Sequence, residues 1–334
     1  MRFARVRSWT NSLIARLPRP SAATQQALGL AAVATQAGIG VTGSVVRVTG
    51  SGLGCSTWPQ CHDGSMFPVE HTEYETLNQW IEFGNRLLTG VVGVVAIACV
   101  LAAWRLHLES RGRPRLVKYA LAVLGGTGFQ GVLGGITVRM ELLWWTVALH
   151  FLASAVLVWI AVMLLHAFRE GESAPRWLVP DIGRRLLVAL VAALAVVLTA
   201  GTFVTGAGPH GGDPETPRLD VSIALLTKIH GGALVVFLSV LVLLGLTSLH
   251  AAGSRRFTRR YALLWAAALA QGALGSVQYE LGVPESLVSL HVLGSALVVI
   301  TTAALWCSAR DRGAPPPSTL AASSPEAAAA PTRS

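Results

Sequence analysis

Three histidines lie inside apolar stretches of the chain. His150 and His291 hold the same place in two stretches, 130–158 and 271–299, which align without a gap at an offset of 141 residues with 11 identities in 29 positions. His230 lies in a third stretch, where the sequence KIHGG sets two glycines beside it. A histidine in an apolar span is a functional candidate because neutral imidazole there needs a partner such as a metal.

The chemistry that this pattern favours is haem ligation. His230 and His291 are expected to face each other from two helices at one depth, as the axial ligands of a low-spin haem do. A hydrogen-bonded packing histidine is the plainer alternative. In the first copy the position that matches His230 is Asn85, a poor haem ligand. His150 would then hold a haem alone and leave the opposite iron face open for O₂ or substrate.

Charged residues near Asn85 are candidates to serve the same site. Glu82 lies one turn earlier on the same helix face, where it either exchanges protons beside a haem or is stabilised by the helix dipole. Arg47 and Arg86, near outside helix ends, either bind haem propionates or pair with Glu82.

Two cysteines, Cys55 and Cys61, lie together in the first outside loop. If that loop faces an oxidising space, a disulfide is plausible. Its ring would be short, and a short bridge is either structural or redox-active. The other two cysteines, Cys99 and Cys307, sit in apolar spans and are interpreted as small buried hydrophobes.

The elements that position these residues are membrane helices. The chain is 52% hydrophobic and 13% charged, and eight stretches reach the length of about 20 apolar residues that a spanning helix needs. Of the 26 Lys and Arg, all but five fall in alternate connections and the ends of the chain. That positive-inside pattern predicts both termini in the cytoplasm. It explains the net charge of +9 as a topology signal, so a nucleic-acid partner is excluded.

The fold class is therefore predicted as an all-α membrane protein, with eight transmembrane helices arranged as two pseudo-symmetric four-helix bundles. An even number of spans in each copy gives both copies the same orientation. The predicted segments are a basic cytoplasmic leader, 1–25; a first, catalytic half, 26–168; a cytoplasmic linker, 169–183; a second half, 184–308; and a disordered cytoplasmic tail, 309–334.

Five motifs together resemble the haem A synthases, the CtaA/Cox15 family, over residues 26–308. They are RVTGSGLGCSTWPQC, EFGNR, QGVLGG with His150, KIHGG, and QGALG with His291. The resemblance implies an oxidoreductase that converts the substrate haem O to haem A by successive hydroxylations of a methyl group to a formyl. It also implies a bound haem b between His230 and His291, with the substrate haem on His150.

The same resemblance assigns roles around the substrate haem and outside the membrane. Glu82 matches the family's essential glutamate, and Cys55 and Cys61 match a cysteine pair implicated in redox chemistry or substrate handling. The family's Glu-x-x-His-Arg pattern reads here as Glu82-Phe-Gly-Asn85-Arg86, which predicts a five-coordinate or water-ligated iron at His150.

The expected setting is the inner membrane of a bacterium, as a multi-pass protein with the cysteine loop outside. A haem O synthase is the partner that the family implies, membrane lipid surrounds the chain, and the electron donor and any homo-oligomer stay open. The competing functions are a b-type cytochrome that passes electrons from quinone to an outside partner and, last, a transporter built on the internal repeat.

Overall fold

Long helices make up nearly all of the described chain. The computed structural model describes residues 11–70, 72–110, 112–252 and 254–316. The long helices within them are α1 (Ala22–Val48), α2 (Thr76–Ser110), α3 (Pro114–Arg139), α4 (Trp144–Ala167), α5 (Asp181–Ala207), α6 (Ile223–Ala252), α7 (Arg255–Glu280) and α8 (Glu285–Ser308).

Seven of these helices are long and apolar enough to cross a membrane, so the chain is a helical membrane protein. The remaining long helix, α7, has 26 residues, but it is less apolar than the seven helices that could cross a membrane. Its first turns carry Arg255, Arg256, Arg259 and Arg260, which shorten its apolar part. Large apolar side chains on the outer faces of the helices are exposed, as contact with lipid requires.

The helices pack in two groups of four. Helices α1 to α4 form a closed ring in which α1 contacts α2 and α4, and α3 contacts both α2 and α4. In the second group α5 packs on α6, and α7 packs on α8. Helix α8 also packs against α1 and α4, and α4 against α5, so the cores of the two groups meet along these helices.

The helix ends follow local sequence rules. Ser21 caps α1 by accepting a hydrogen bond from the Thr24 N–H, and Pro114 opens α3 at a position that needs no donor. Helices α3 and α7 both end in turns with left-handed backbone, at Glu141 and Leu142 and at Gly282 and Val283. These two turns are again 141 residues apart in sequence.

The loop after α1 and the loop after α5 are joined. The Gly52 N–H donates to the Gly212 carbonyl at 2.8 Å. A Cβ on either glycine would collide with the side chain of Leu142, which is buried between the loops. Both glycines are therefore required by the close approach of Leu142.

At the opposite end, a two-stranded ribbon joins the linker to the residues after α8. Strand β1 (Arg176–Trp177) pairs antiparallel with β2 (Arg310–Asp311). The predicted tail, 309–334, thus begins with a strand, and 317–334 lie outside the described residues. Residues 1–10 of the predicted leader also lie outside them, and the leader's last four residues already belong to α1.

Candidate functional site: three histidines in the helices

Two of the three predicted histidines face each other in the second group of helices. His230 lies on α6 and His291 on α8, and their ring centroids are 6.5 Å apart with the ring planes at 62°. A metal–imidazole bond of about 2.0–2.1 Å, with about 1.1 Å from nitrogen to centroid, puts two axial imidazoles of one metal about 6.3 Å apart. The spacing of the two rings therefore fits one metal ion between them.

The hydrogen bonding of His230 also suits a metal ligand. Its Nδ1–H donates to the Val197 carbonyl on α5 at 3.0 Å, because a carbonyl oxygen can only accept. That bond fixes the tautomer and leaves Nε2 with a free lone pair. Metal-ligating histidines usually donate their second ring nitrogen to such an acceptor.

Each of the three histidine rings lies against a glycine of a neighbouring helix. A Cβ built on Gly201 would lie 3.1 Å from Cε1 of His230, and one on Gly275 would lie 2.9 Å from Cε1 of His291. On Gly134 the distance to Cε1 of His150 would be 3.3 Å. Any larger residue at these places would push the imidazole, so the glycines set the position of each ring.

In the first group of helices the residue that matches His230 is Asn85, which is not a histidine. Asn85 on α2 accepts a hydrogen bond from the Thr42 hydroxyl of α1 at 2.7 Å. A Cβ on Gly43 would lie 3.9 Å from its Nδ2. Asn85 thus contacts α1 much as His230 contacts α5, but with an amide whose oxygen already has a partner.

Glu82 and Arg86 tie helix α2 to the disulfide loop. Glu82 is buried, its Oε2 accepts the Cys55 N–H at 2.7 Å, and its Oε1 pairs with the guanidinium of Arg86. Arg86 also donates to the carbonyls of Thr57 and Gln60, each at 2.9 Å. Of the two alternatives for Arg86, the pair with Glu82 is therefore the one observed.

The disulfide predicted from the loop sequence is present. Cys55 and Cys61 are joined, and both side chains are buried. His62, in the same loop, is buried too. Its Nε2 donates to Gln79 at 2.9 Å, and its Nδ1 lies 3.0 Å from the Ser56 hydroxyl.

Two arginines meet between the two groups, at the helix ends that carry the disulfide loop. Arg47 donates to the His210 carbonyl at 3.1 Å, and Arg218 donates to the Gly208 carbonyl at 2.8 Å. Their charges repel, and burial lowers the pKa of Arg218 below its ordinary value. In the described part of the chain neither forms an ion pair with a carboxylate, so both suit an anionic ligand.

Two glutamines near the histidines carried no predicted role. The Gln130 amide donates to the His150 carbonyl at 3.0 Å, and the Gln271 amide donates to the His291 carbonyl at 2.8 Å. Both open the repeated QG pairs, and Gly134 and Gly275 follow them by four residues. The repeat of Gln-x-x-x-Gly at the offset of 141 was the signal that could have found them.

A separate group of metal-binding residue types lies at the opposite helix ends and is occupied by arginines. His166, Glu170 and Cys307 lie close enough to share an ion. However, the Arg256 guanidinium lies 2.9 Å from Nδ1 of His166, and that of Arg310 lies 3.7 Å from Sγ of Cys307. These cations hold the places that a metal would need.

Comparison with known proteins gives one family. The model of the COX15-CtaA family, described as cytochrome oxidase assembly protein, matches residues 25–210. A heme A synthase of Halalkalibacterium halodurans is 33% identical over 165 residues, which cover 48% of this chain and 53% of that protein. One of Exiguobacterium sibiricum is 32% identical over 173 residues, 50% of this chain and 54% of that protein.

A shorter match is closer in sequence. A heme A synthase of Lysinibacillus sphaericus is 45% identical over 64 residues, 19% of each chain. The matched part of this chain spans about half the length of the first two relatives.

Proposed function

Because the chain belongs to the COX15-CtaA family of cytochrome oxidase assembly proteins, we propose that it is a haem A synthase. It would oxidise a methyl group of haem O to a formyl by successive hydroxylations. The observation that carries this proposal is the facing pair of His230 and His291 in one half, whereas in the other half Asn85 stands at the position that matches His230 and its oxygen is bonded to Thr42. One site suits electron transfer, and the other suits chemistry on a bound substrate.

The proposed topology has eight spans, including α7, in two pseudo-symmetric bundles with both termini in the cytoplasm. Repeated contacts support it: the Gly134–His150 and Gly275–His291 pairs share an offset of 141 residues, as do the left-handed turns after α3 and α7. The basic connections then face the cytoplasm and the disulfide loop lies outside the cell membrane.

In the second half, His230 and His291 are proposed to hold haem b. When bound, this group supplies one-electron transfer to the substrate site. Val197 fixes His230 with Nε2 as the ligand atom, and Gly201 lets the ring approach α5. Beside His230, a Cβ on Gly231 would meet nothing within 4 Å in the described residues, so there is room next to the ligand.

In the first half, His150 is proposed to bind the iron of the substrate, haem O. Its farnesyl tail favours lateral entry from the lipid. Arg47 is the proposed partner for a propionate, because it has no carboxylate partner in the described chain. Arg86 instead holds the disulfide loop above the site and keeps its pairing with Glu82.

Glu82 is proposed to move protons as the methyl group is oxidised. Its carboxylate is shielded from water and joined to the disulfide loop by the Cys55 N–H. Cys55 and Cys61 are proposed to act in redox chemistry or substrate handling. A haem O synthase and an unidentified electron donor complete the proposed partners.

The test of this function is co-expression of the chain with a haem O synthase in a host that makes no haem A. Extracted haems are then identified by mass spectrometry. Haem A or hydroxylated haem O is the expected result. Haem b bound to folded protein, with haem O unchanged and reductant present, would instead favour a b-type cytochrome between quinone and an outside partner.

The iron bound at His150 is expected to be five-coordinate or water-ligated. The reason is that Asn85 offers an amide oxygen already bonded to Thr42. Electron paramagnetic resonance of the protein loaded with haem O should show a high-spin component beside the low-spin haem b. In Asn85→His that component should become low-spin. A purely low-spin spectrum in the unmodified protein would show that another residue ligates the iron.

A further inference from the structure

Gln130 and Gln271 bind the backbone of the two matching histidines from a neighbouring helix. Each amide Nε2 donates to the carbonyl of the histidine itself, His150 or His291. The orientation of each amide follows from this bond, since a carbonyl can only accept and Nε2 must therefore face it. The amide oxygen Oε1 of each glutamine then points elsewhere.

Both halves contain the same pair of unsatisfied atoms. Oε1 of Gln130 and Nδ1 of His150 are buried and have no hydrogen-bond partner in the described chain. The same holds for Oε1 of Gln271 and Nδ1 of His291. An amide oxygen is an acceptor and Nδ1–H is a donor, so the two atoms of each pair complement each other.

The rings lie against the helices that carry the glutamines. The Cε1 corner of the His291 ring faces Gly275 of α7, and Nδ1 would lie 3.5 Å from a Cβ there, nearer than Nε2 at 3.9 Å. Gln271 is four residues before Gly275, one turn away on that face. Nδ1 of His150 faces α3 in the same way, 4.0 Å from a Cβ on Gly134.

A glycine of α8 makes room for one of the glutamines. A Cβ on Gly294 would occupy the position of the Gln271 amide oxygen. The matching residue of α4 is Ala153, and there the Gln130 amide also bonds the Ser154 hydroxyl. The two halves thus differ in sequence at Gly294 and Ala153, and in hydrogen bonding by the additional bond from Gln130 to Ser154.

We propose that Gln130 and Gln271 are positioning residues for the haem ligands, each accepting the Nδ1–H of its histidine once iron fixes the ring. This inference rests on the proposed function, because it assigns the outer partner of the proposed ligands. His230 already has such a partner in the Val197 carbonyl. With Gln271, both axial ligands of haem b would present Nε2 to the iron.

A hydrogen bond from His291 Nδ1–H to Gln271 would change the reduction potential of haem b, which is measured without turnover. An acceptor on Nδ1–H makes the imidazole a stronger electron donor and tunes the metal that it binds. A stronger donor stabilises the oxidised iron, so the bond lowers the reduction potential of haem b. Removal of the acceptor raises the potential, and a negatively charged acceptor lowers it further.

The experiment is a redox titration of haem b in the purified full chain, produced without haem O. Gln271→Leu is expected to shift the potential upward, and Gln271→Glu is expected to shift it downward. The matched control is Ser276→Ala, because Ser276 is exposed on the same helix and, among the described residues, its hydroxyl donates to the Gly272 carbonyl one turn earlier.

Opposite shifts in the leucine and glutamate variants, with the control unchanged, would support the inference. Equal potentials in the wild type and in Gln271→Glu would overturn it, even if Gln271→Leu failed to fold. Absence of haem b from the wild-type protein would instead contradict the proposed function and the inference with it. Haem A formation is not needed for any of these results.

Discussion

His291→Ala is expected to remove haem b from the protein while the substrate site in the other half remains. The two facing rings of His230 and His291 are the proposed axial pair, and the loss of one leaves an imidazole that cannot hold a six-coordinate iron. Since the loss of an outer partner of a ligand already costs about 10–100-fold in metal affinity, removal of the ligand itself should cost at least about 100-fold. The optical spectrum and the haem b content of purified protein measure this.

The control for this variant separates ligation from folding. Added imidazole should restore part of the low-spin spectrum in His291→Ala, because it fills the space of the lost side chain. The control variant is His107→Ala, in the last turn of α2 and in the other half of the protein. It should retain haem b, although it loses the hydrogen bond from the Arg113 N–H at 3.2 Å. Full haem b content in His291→Ala would mean that this histidine is a packing residue.

Glu82→Gln is expected to lower haem A formation by about 10²–10⁴-fold, the usual contribution of a general acid or base. Glutamine has nearly the same shape and can still accept the Cys55 N–H, but it cannot carry the proton or the charge that pairs with Arg86. Haem b should stay bound, because the second half is not touched. Extracted haem A, per mole of protein, is the measurement.

Helix α2 offers a matched control at its other end. Glu109 is also buried and pairs with Arg105 and Arg19, but it lies far along the helix from Glu82. Glu109→Gln therefore loses a comparable ion pair without touching the site, and haem A formation should persist. If Glu82→Gln made haem A at the wild-type rate, its role in proton transfer would be wrong.

Much of the fold follows from apolar runs, because a spanning helix must satisfy its own backbone in lipid. The helices nevertheless extend beyond those runs. Helix α2 occupies Thr76–Ser110, although its apolar stretch begins near residue 83, and this extension carries Glu82 into the helix. Composition marks only the part in hydrocarbon, whereas a helix continues into polar surroundings until its ends are capped.

The facing of His230 and His291 was predictable from the sequence, whereas the contacts that support the candidate site were not. The repeat places His150 and His291 in one register, and the depth argument pairs His291 with His230. The bond of Glu82 to the disulfide loop depends on the path of that loop, for which the sequence has no periodic signal. Likewise the repeated Gln271 was visible as a marker, but only packing shows which carbonyl it binds.

The most direct test of the proposed haem A synthase activity is turnover by the purified chain itself. Wild-type protein carrying haem b would be loaded with haem O, given a reductant and O₂, and its haems extracted at intervals for mass spectrometry. Hydroxylated haem O is expected to form first and haem A after it, while haem b stays unchanged. Haem O that stays unmodified while haem b is reduced and intact would contradict it.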